Sequence, residues 1–337
     1  MTSRVPAALA LLGASALVLA GCAGTTPAAS GTDAAGGEKL QVVASTNVYG
    51  ALASVVGGDD VEVTSVIDSL SQDPHSYEAS ARDQLTISDA DLIIENGAGY
   101  DSFIDALIEA SGAKAPVLTA VEFAHDYPGA ASHDEAEHAD EAEHADEAEH
   151  DHAHDDAGHD HIEGFNEHVW YDPHTVVHLV EDIAHELGEL DASKAETFDA
   201  NAAELVSQIE GLESSLEDIA TDHKGEKIFV TEPVPLYLAA AAGLENATPD
   251  EFSEAVEEGQ DVPPATLLEA QKILRSGDVR TVIVNAQTGG AETTEIVTLA
   301  KSLDIPVLEF TELLPEGLTY VEWMQQNIDE LAGTLTR

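Results

Sequence analysis

The chain is short of cysteine and of basic residues, and each shortage excludes a class of protein. Its 337 residues include one Cys, so an intrachain disulfide or a cluster of thiolate metal ligands is impossible. It has 12 Lys and Arg against 66 Asp and Glu, and its formal net charge of −54 repels nucleic acid and anionic membranes. After residue 21, no apolar run is long enough to span a bilayer. We therefore expect neither a nucleic-acid partner nor a membrane-spanning helix.

The first residues indicate export. An apolar run over residues 5–19 ends in Leu-Ala-Gly-Cys at residues 19–22, with small residues before the cysteine. This pattern resembles a bacterial lipoprotein signal peptide, in which the cysteine receives lipid. It predicts a signal peptide over residues 1–21, lipidation of Cys22 and a flexible tether over residues 22–38. The alternative is an ordinary secretory signal with an incidental cysteine.

A histidine-rich segment indicates metal handling. Eight of the 15 histidines lie between residues 133 and 161, in a stretch without Lys or Arg that repeats Ala-Glu-His-Ala-Asp-Glu. Imidazole is a favoured ligand of first-row divalent metals, and the segment is too polar to bury. We expect a disordered insertion over residues 124–163, although a charged linker is the alternative. The predicted low-affinity metal ligands are His133, His138, His144, His150, His152, His154, His159 and His161.

The remainder alternates between β-rich and helical patterns. Apolar strand patterns occur at residues 40–44, 61–67, 92–94, 116–119, 228–230, 281–284 and 306–308. Alternation of this kind predicts an α/β fold with parallel sheets. Asp172 and Pro173 open one helix, and a capping box at residues 193–196 opens a longer one that reaches about residue 222. We expect two lobes, over residues 39–192 and 223–337, joined by that helix.

Four loops that follow strands carry candidate metal ligands. His75 and His168 lie in the first half, and Glu232 and Glu312 lie in the second, with Glu309 as an alternative to Glu312. In open α/β sheets, binding sites form beyond the carboxyl ends of the strands. Taken singly, each of these residues could instead be a solvated loop or turn residue.

Taken together, the loops resemble one family. The motifs are Asp-Pro-His-Ser-Tyr-Glu at residues 73–78, Ala-Asp-Leu-Ile-Ile-Glu-Asn-Gly-Ala-Gly-Tyr at residues 90–100 and Glu-His-Val-Trp-Tyr-Asp at residues 167–172. They resemble the zinc/manganese solute-binding lipoproteins that serve ABC importers, over about residues 40–335. The lipoprotein signal and the acidic histidine-rich insertion also fit that family.

The resemblance implies two similar lobes joined by a rigid helix over residues 193–222, with metal buried between the lobes. It implies His75 and His168 as ligands from the first lobe, and Glu232 and Glu312 from the second. It also implies a protein that is not an enzyme, bound by its lipid anchor alone to the outer face of the cell membrane. Its partners would be an ABC permease and its ATPase, and we expect a monomer.

Two features of the sequence give opposite indications of the metal. Zinc-type members usually have histidine where this chain has Glu232, and two imidazoles with two carboxylates suit manganese well. The histidine-rich insertion is typical of zinc-type members, so zinc is the expected cargo and manganese the alternative. A metal buffer or adhesin needs only the insertion. A secreted metallohydrolase would need a catalytic motif that the sequence does not contain.

Two further histidines share a helix face. His174 and His178 are one turn apart in the helix that Pro173 opens. They are either a minor metal site or, more simply, exposed helix residues.

Overall fold

The computed structural model describes residues 39–129, 162 and 164–336. The predicted signal peptide, Cys22, the tether and the predicted ligands between His133 and His161 lie outside the described residues. Within those ranges, no helix has the length and apolar character that crossing a bilayer requires.

The first lobe is a parallel sheet covered by helices. Its strands follow the order β2-β1-β3-β4 across the sheet, and every neighbouring pair is parallel. All four residues of the third strand are buried, as expected for a strand with helices on both faces. The elements are β1 (Leu40–Thr46), α1 (Asn47–Gly57), β2 (Val61–Ile67), α2 (Ala81–Ser88), β3 (Leu92–Glu95), α3 (Phe103–Ser111), β4 (Val117–Thr119) and α4 (Pro173–Leu190).

The second lobe repeats this arrangement. Its sheet has the order β6-β5-β7-β8 and is also parallel throughout. The elements are β5 (Lys227–Val230), α6 (Leu236–Ala241), β6 (Glu245–Asn246), α7 (Asp250–Glu257), α8 (Pro264–Leu274), β7 (Val279–Asn285), α9 (Ala291–Ser302), β8 (Val307–Phe310) and α10 (Tyr320–Leu335). The expected α/β fold with two similar lobes is confirmed.

One long helix, α5 (Ala195–His223), connects the lobes. At 1.5 Å per residue its 29 residues extend about 44 Å, which is enough to run along both lobes. The capping box predicted at residues 193–196 does not form, and the helix begins after Lys194 without a side-chain cap. Lys194 rather than Ser193 is the N-cap residue, and the hydroxyl of Ser193 donates to Asp191 instead.

A single hydrophobic cluster extends through both lobes. It includes Val42 and Leu92 from the first sheet, Ile228 and Ile283 from the second, and Leu212 from α5. The two sheets are therefore parts of one folded body.

Candidate metal centre

His75 lies in a short 3₁₀ turn, Pro74–Ser76, in the loop after β2. Asp73 caps this turn, because its carboxylate accepts hydrogen bonds from the backbone N–H of His75 at 3.0 Å and from the hydroxyl of Ser76 at 2.8 Å. Proline also restricts the backbone of the residue before it. Local sequence therefore directs this imidazole, whose side chain is only 11 % exposed.

His168 is completely buried, and Asn166 orients its ring. The amide Nδ2 of Asn166 donates to the carbonyl of Pro233 at 3.1 Å, so the Oδ1 atom of Asn166 is an acceptor. This oxygen lies 2.8 Å from Nδ1 of His168, which must therefore carry the proton. In the neutral ring, Nε2 then has a lone pair, which is the form that coordinates metal.

Two buried carboxylates of the second lobe share one amide. The Nδ2 group of Asn285, at the end of β7, donates to Oε2 of Glu232 at 2.8 Å and also to Oε1 of Glu312. Thr288 donates to the other oxygen of Glu232, and the hydroxyl of Tyr100 donates to Oε2 of Glu312 at 3.2 Å. These donors hold the two carboxylates side by side at the strand ends.

The histidines and carboxylates meet between the lobes. Donor atoms of His75, His168 and Glu312 all lie within 4.8 Å of one another. The Nε2 atom of His75 is 3.9 Å from Oε2 of Glu312. Glu232 is connected to this group through Asn285 rather than by direct approach. Glu309 lies exposed within β8, so the geometry favours Glu312 as the acidic residue of the fourth loop.

Two acidic residues at the same place were not predicted. Donor atoms of Glu167 and Glu257 lie within 4.8 Å of one another and of His75. Oε1 of Glu257 is also 3.7 Å from Nε2 of His168. Glu167 could have been suspected because it precedes His168, whereas nothing in this acidic sequence distinguishes Glu257 from the other carboxylates.

Aromatic rings enclose the centre. The ring of Tyr100 is 4.9 Å from that of His75, and the ring of Trp170 is 5.1 Å from that of His168. Tyr100 and Trp170 also contact each other at 4.7 Å, and both are almost fully buried. Since such walls exclude water, charge interactions inside them are stronger than at the surface.

The crowding of carboxylates changes their protonation. Burial raises the pKa of Glu312 to about 8, the charge of Glu232 adds to the rise, and hydrogen bonds from Asn285 and Tyr100 oppose it. Burial also raises the pKa of Glu232. For Glu257, burial and then the charges of neighbouring carboxylates raise the pKa. A divalent cation among these carboxylates would stabilise their charged forms and so lower their pKa values.

His174 and His178 lie outside this centre. Their rings are 4.9 Å apart on α4, and both side chains are exposed. His174 faces Glu213 at 3.5 Å and His178 faces Glu181 at 3.5 Å, as expected for surface histidines among acidic residues.

We expect metal affinity to fall in acid. With a pKa of about 8, Glu312 is protonated in the metal-free protein below that pH, and the ligand histidines must also be neutral. Each proton that the metal displaces lowers the affinity by up to ~10-fold per pH unit below the pKa of its group. Competition titrations between about pH 6 and pH 8.5 should therefore show a steep rise in affinity. An affinity independent of pH would contradict the assignment of these ligands.

Comparison with known proteins gives the family. The family model of the zinc-uptake complex component A, periplasmic (ZnuA), matches residues 42–334. The manganese ABC transporter substrate-binding lipoprotein PsaA of Streptococcus mitis is 26% identical over 96% of both chains. The zinc-binding lipoprotein AdcA of Streptococcus pneumoniae is 26% identical over 88% of this chain and 56% of its own.

The fold is also found among solved structures. The crystal structure of a Zn(II)-bound AdcAII variant of Streptococcus pneumoniae covers 89% of this chain and 99% of its own, with a TM-score of 0.66 at 22% identity. The family consists of solute-binding proteins of ABC importers rather than enzymes. The extent of the family match, together with the two-lobed fold, shows that this chain belongs to the zinc-uptake complex component A family.

Proposed function

We propose that this chain is the extracytoplasmic metal-binding component of an ABC importer, with zinc as its cargo. Four side chains would hold the ion between the lobes: His75, His168, Glu232 and Glu312. The observation that carries the proposal is the convergence of His75, His168 and Glu312 within 4.8 Å in a buried place between two sheets. Ligands drawn from both lobes give a closed site, which suits retention and delivery of an ion better than catalysis on it.

The location and partners follow from the same proposal. A lipid on Cys22 would hold the protein at the outer face of the cell membrane, and the folded body would have no other membrane attachment. It would act as a monomer and pass its ion to a permease driven by an ATPase. The name of the Streptococcus mitis relative, a substrate-binding lipoprotein, supports this arrangement.

Manganese is the alternative cargo, and one observation favours it. The centre contains four buried or nearly buried carboxylates against two imidazoles, and oxygen ligands suit manganese better than they suit zinc. Zinc is supported by the family description and by the eight histidines between residues 133 and 161, because imidazole clusters add little to manganese binding. Direct competition between the two ions decides this question.

Deleting residues 132–161 is expected to leave one tight zinc equivalent and to remove the weak ones. An acidic, repetitive segment pays conformational entropy when it binds, so its sites should be weaker than a preorganised centre. Calorimetry with zinc, and then with manganese added to the zinc-loaded protein, measures both classes of site. Growth should suffer mainly when zinc is scarce.

The matched control keeps the segment and its acidic residues but replaces its eight histidines with alanine. It should behave like the deletion if imidazole binds the weak equivalents. Loss of the tight equivalent on deletion would indicate a metal buffer instead of a transport protein. Displacement of zinc from the tight site by manganese would reverse the choice of cargo.

A further inference from the structure

Glu257 occupies an unfavourable place for a carboxylate. It is the last residue of α7, where the helix dipole presents its negative end, and an anion there is destabilised. Its side chain is only 11% exposed. Among the described residues, no group donates a hydrogen bond to its buried Oε1 atom. A buried carboxyl oxygen without a donor is costly, and a nearby cation would stabilise its ionised form.

The position of Glu257 is well defined by the packing of α7. Phe252, in the first turn of this helix, is fully buried, and its ring lies 5.4 Å from that of Phe229 on β5. The hydroxyl of Thr266 on α8 donates to Glu251 at 2.9 Å. Two residues after Glu257, Gly259 has a φ of +64°, and the chain changes direction there at the end of the helix. The second lobe therefore holds Glu257 toward the centre.

The atom that faces Glu257 is also a lone-pair donor. Asn166 assigns the ring proton of His168 to Nδ1, so Nε2 of the neutral ring has no proton to give. Nε2 lies 3.7 Å from Oε1 of Glu257. In the neutral imidazole and the ionised carboxylate both atoms have lone pairs, and this distance leaves room for a cation that binds both.

The separations between these donor atoms are close to the separation of two ligand atoms bound to one ion. Two bonds of about 2.1 Å at a tetrahedral angle place their donor atoms about 3.4 Å apart. The pair from His168 to Glu257 is separated by 3.7 Å, and the pair from His75 to Glu312 by 3.9 Å. Donor atoms of Glu257 and His75 also lie within 4.8 Å of each other. A contraction of a few tenths of an ångström would bring both pairs onto a common ion.

We propose that Glu257 is a further metal ligand, supplied by the carboxyl end of α7 in addition to the four strand-end loops. The proposal rests on the proposed function, because it concerns the same ion. It makes the donor set richer in oxygen than two imidazoles and two carboxylates, and it raises the coordination number above four. Glu257 would thus come from helix α7, whereas the other four ligands lie in loops that follow strands.

The test replaces Glu257 with glutamine, which keeps the shape and removes the charge. The matched control is Glu258→Gln, which changes the adjacent and exposed residue. The full chain is loaded with one equivalent of Co²⁺ in a chelator buffer, so that weak sites stay empty, and affinity and visible spectrum are measured. We expect Glu257→Gln to lower the affinity by ~10-fold or more. The d–d bands should intensify as the coordination number falls, and Glu258→Gln should change neither quantity.

The outcomes separate three explanations. Weaker binding with an unchanged cobalt spectrum would show that Glu257 only orients His168, and would overturn the ligand proposal. Unchanged affinity and spectrum would overturn it as well. Failure of the proposed function itself appears differently, as a parent protein that binds no tight equivalent of cobalt. Thermal unfolding of the metal-free variants, compared with the parent, shows that both are folded.

Discussion

Replacing His75 with alanine is expected to weaken zinc binding more than a hundredfold. Four-ligand zinc sites bind with roughly 12 kcal/mol, so one ligand contributes about 3 kcal/mol, equivalent to a factor of more than 100 in Kd. His75 is held by Pro74 and Asp73, so its imidazole reaches the ion without a large entropic cost. The same loss is expected for His168→Ala. Competition with a chelator of known affinity measures both.

The control for this experiment is His178→Ala. That residue is an exposed histidine on α4, and its loss should leave the tight site unchanged. Metal-free unfolding of all three variants excludes a general loss of structure. If His75→Ala and His168→Ala both bound zinc and manganese as tightly as the parent, the ligand assignment would be wrong.

Zinc loading is expected to raise the Tm by roughly 10 °C. A ligand at 1,000 times its Kd adds about 4.1 kcal/mol to stability, and each kcal/mol shifts the Tm of a chain of this size class by roughly 2–4 °C. The physical source is the cluster of Glu232, Glu257 and Glu312, whose charged forms are disfavoured by burial and would be stabilised by a cation. Differential scanning calorimetry with and without a strong chelator measures the shift.

The double variant of His75 and His168 separates this effect from weak binding elsewhere. It should lose the shift, because zinc then lacks both imidazoles of the centre. The protein without residues 132–161 should keep the shift. An equal shift in the double variant would assign the stabilisation to the histidine-rich segment and contradict a buried site.

Local signals in the sequence were sufficient for the fold and for part of the centre. His75 and His168 were predicted because each occurs in a short motif, and the structure places both imidazoles at the same spot. The choice between Glu309 and Glu312 needed the register of β8, in which Glu309 is exposed and Phe310 is buried. That choice depends on how the sheet packs. The local sequence around the two glutamates does not show which of them is buried.

Other parts depend on contacts between distant segments. Glu257 approaches His168 only because α7 packs on the second sheet through Phe252, and one more glutamate in so acidic a chain gives no signal. The prediction of a capping box at residues 193–196 was wrong because of a competing contact close by in the chain. Ser193 bonds to Asp191 in the preceding turn, and α5 begins one residue later than the predicted box requires.

The loop that carries His168 is supported by a much later part of the chain. The hydroxyl of Tyr320, the first residue of α10, donates at 2.8 Å to the carbonyl of Trp170, and these residues are 150 positions apart. On the same helix, the ring of Trp323 lies 5.6 Å from that of Tyr171. The backbone that presents His168 is therefore shaped by a helix synthesised after both sheets.

Assembly of the protein consequently has an order. Contacts between residues so far apart form late, because closing a long loop costs entropy before the contact stabilises anything. A growing chain that has reached only β8 contains the strands of both sheets, but the turn behind His168 still lacks its neighbours from α10. The proposed ion site would therefore be complete only once α10 has packed behind the loop that carries His168.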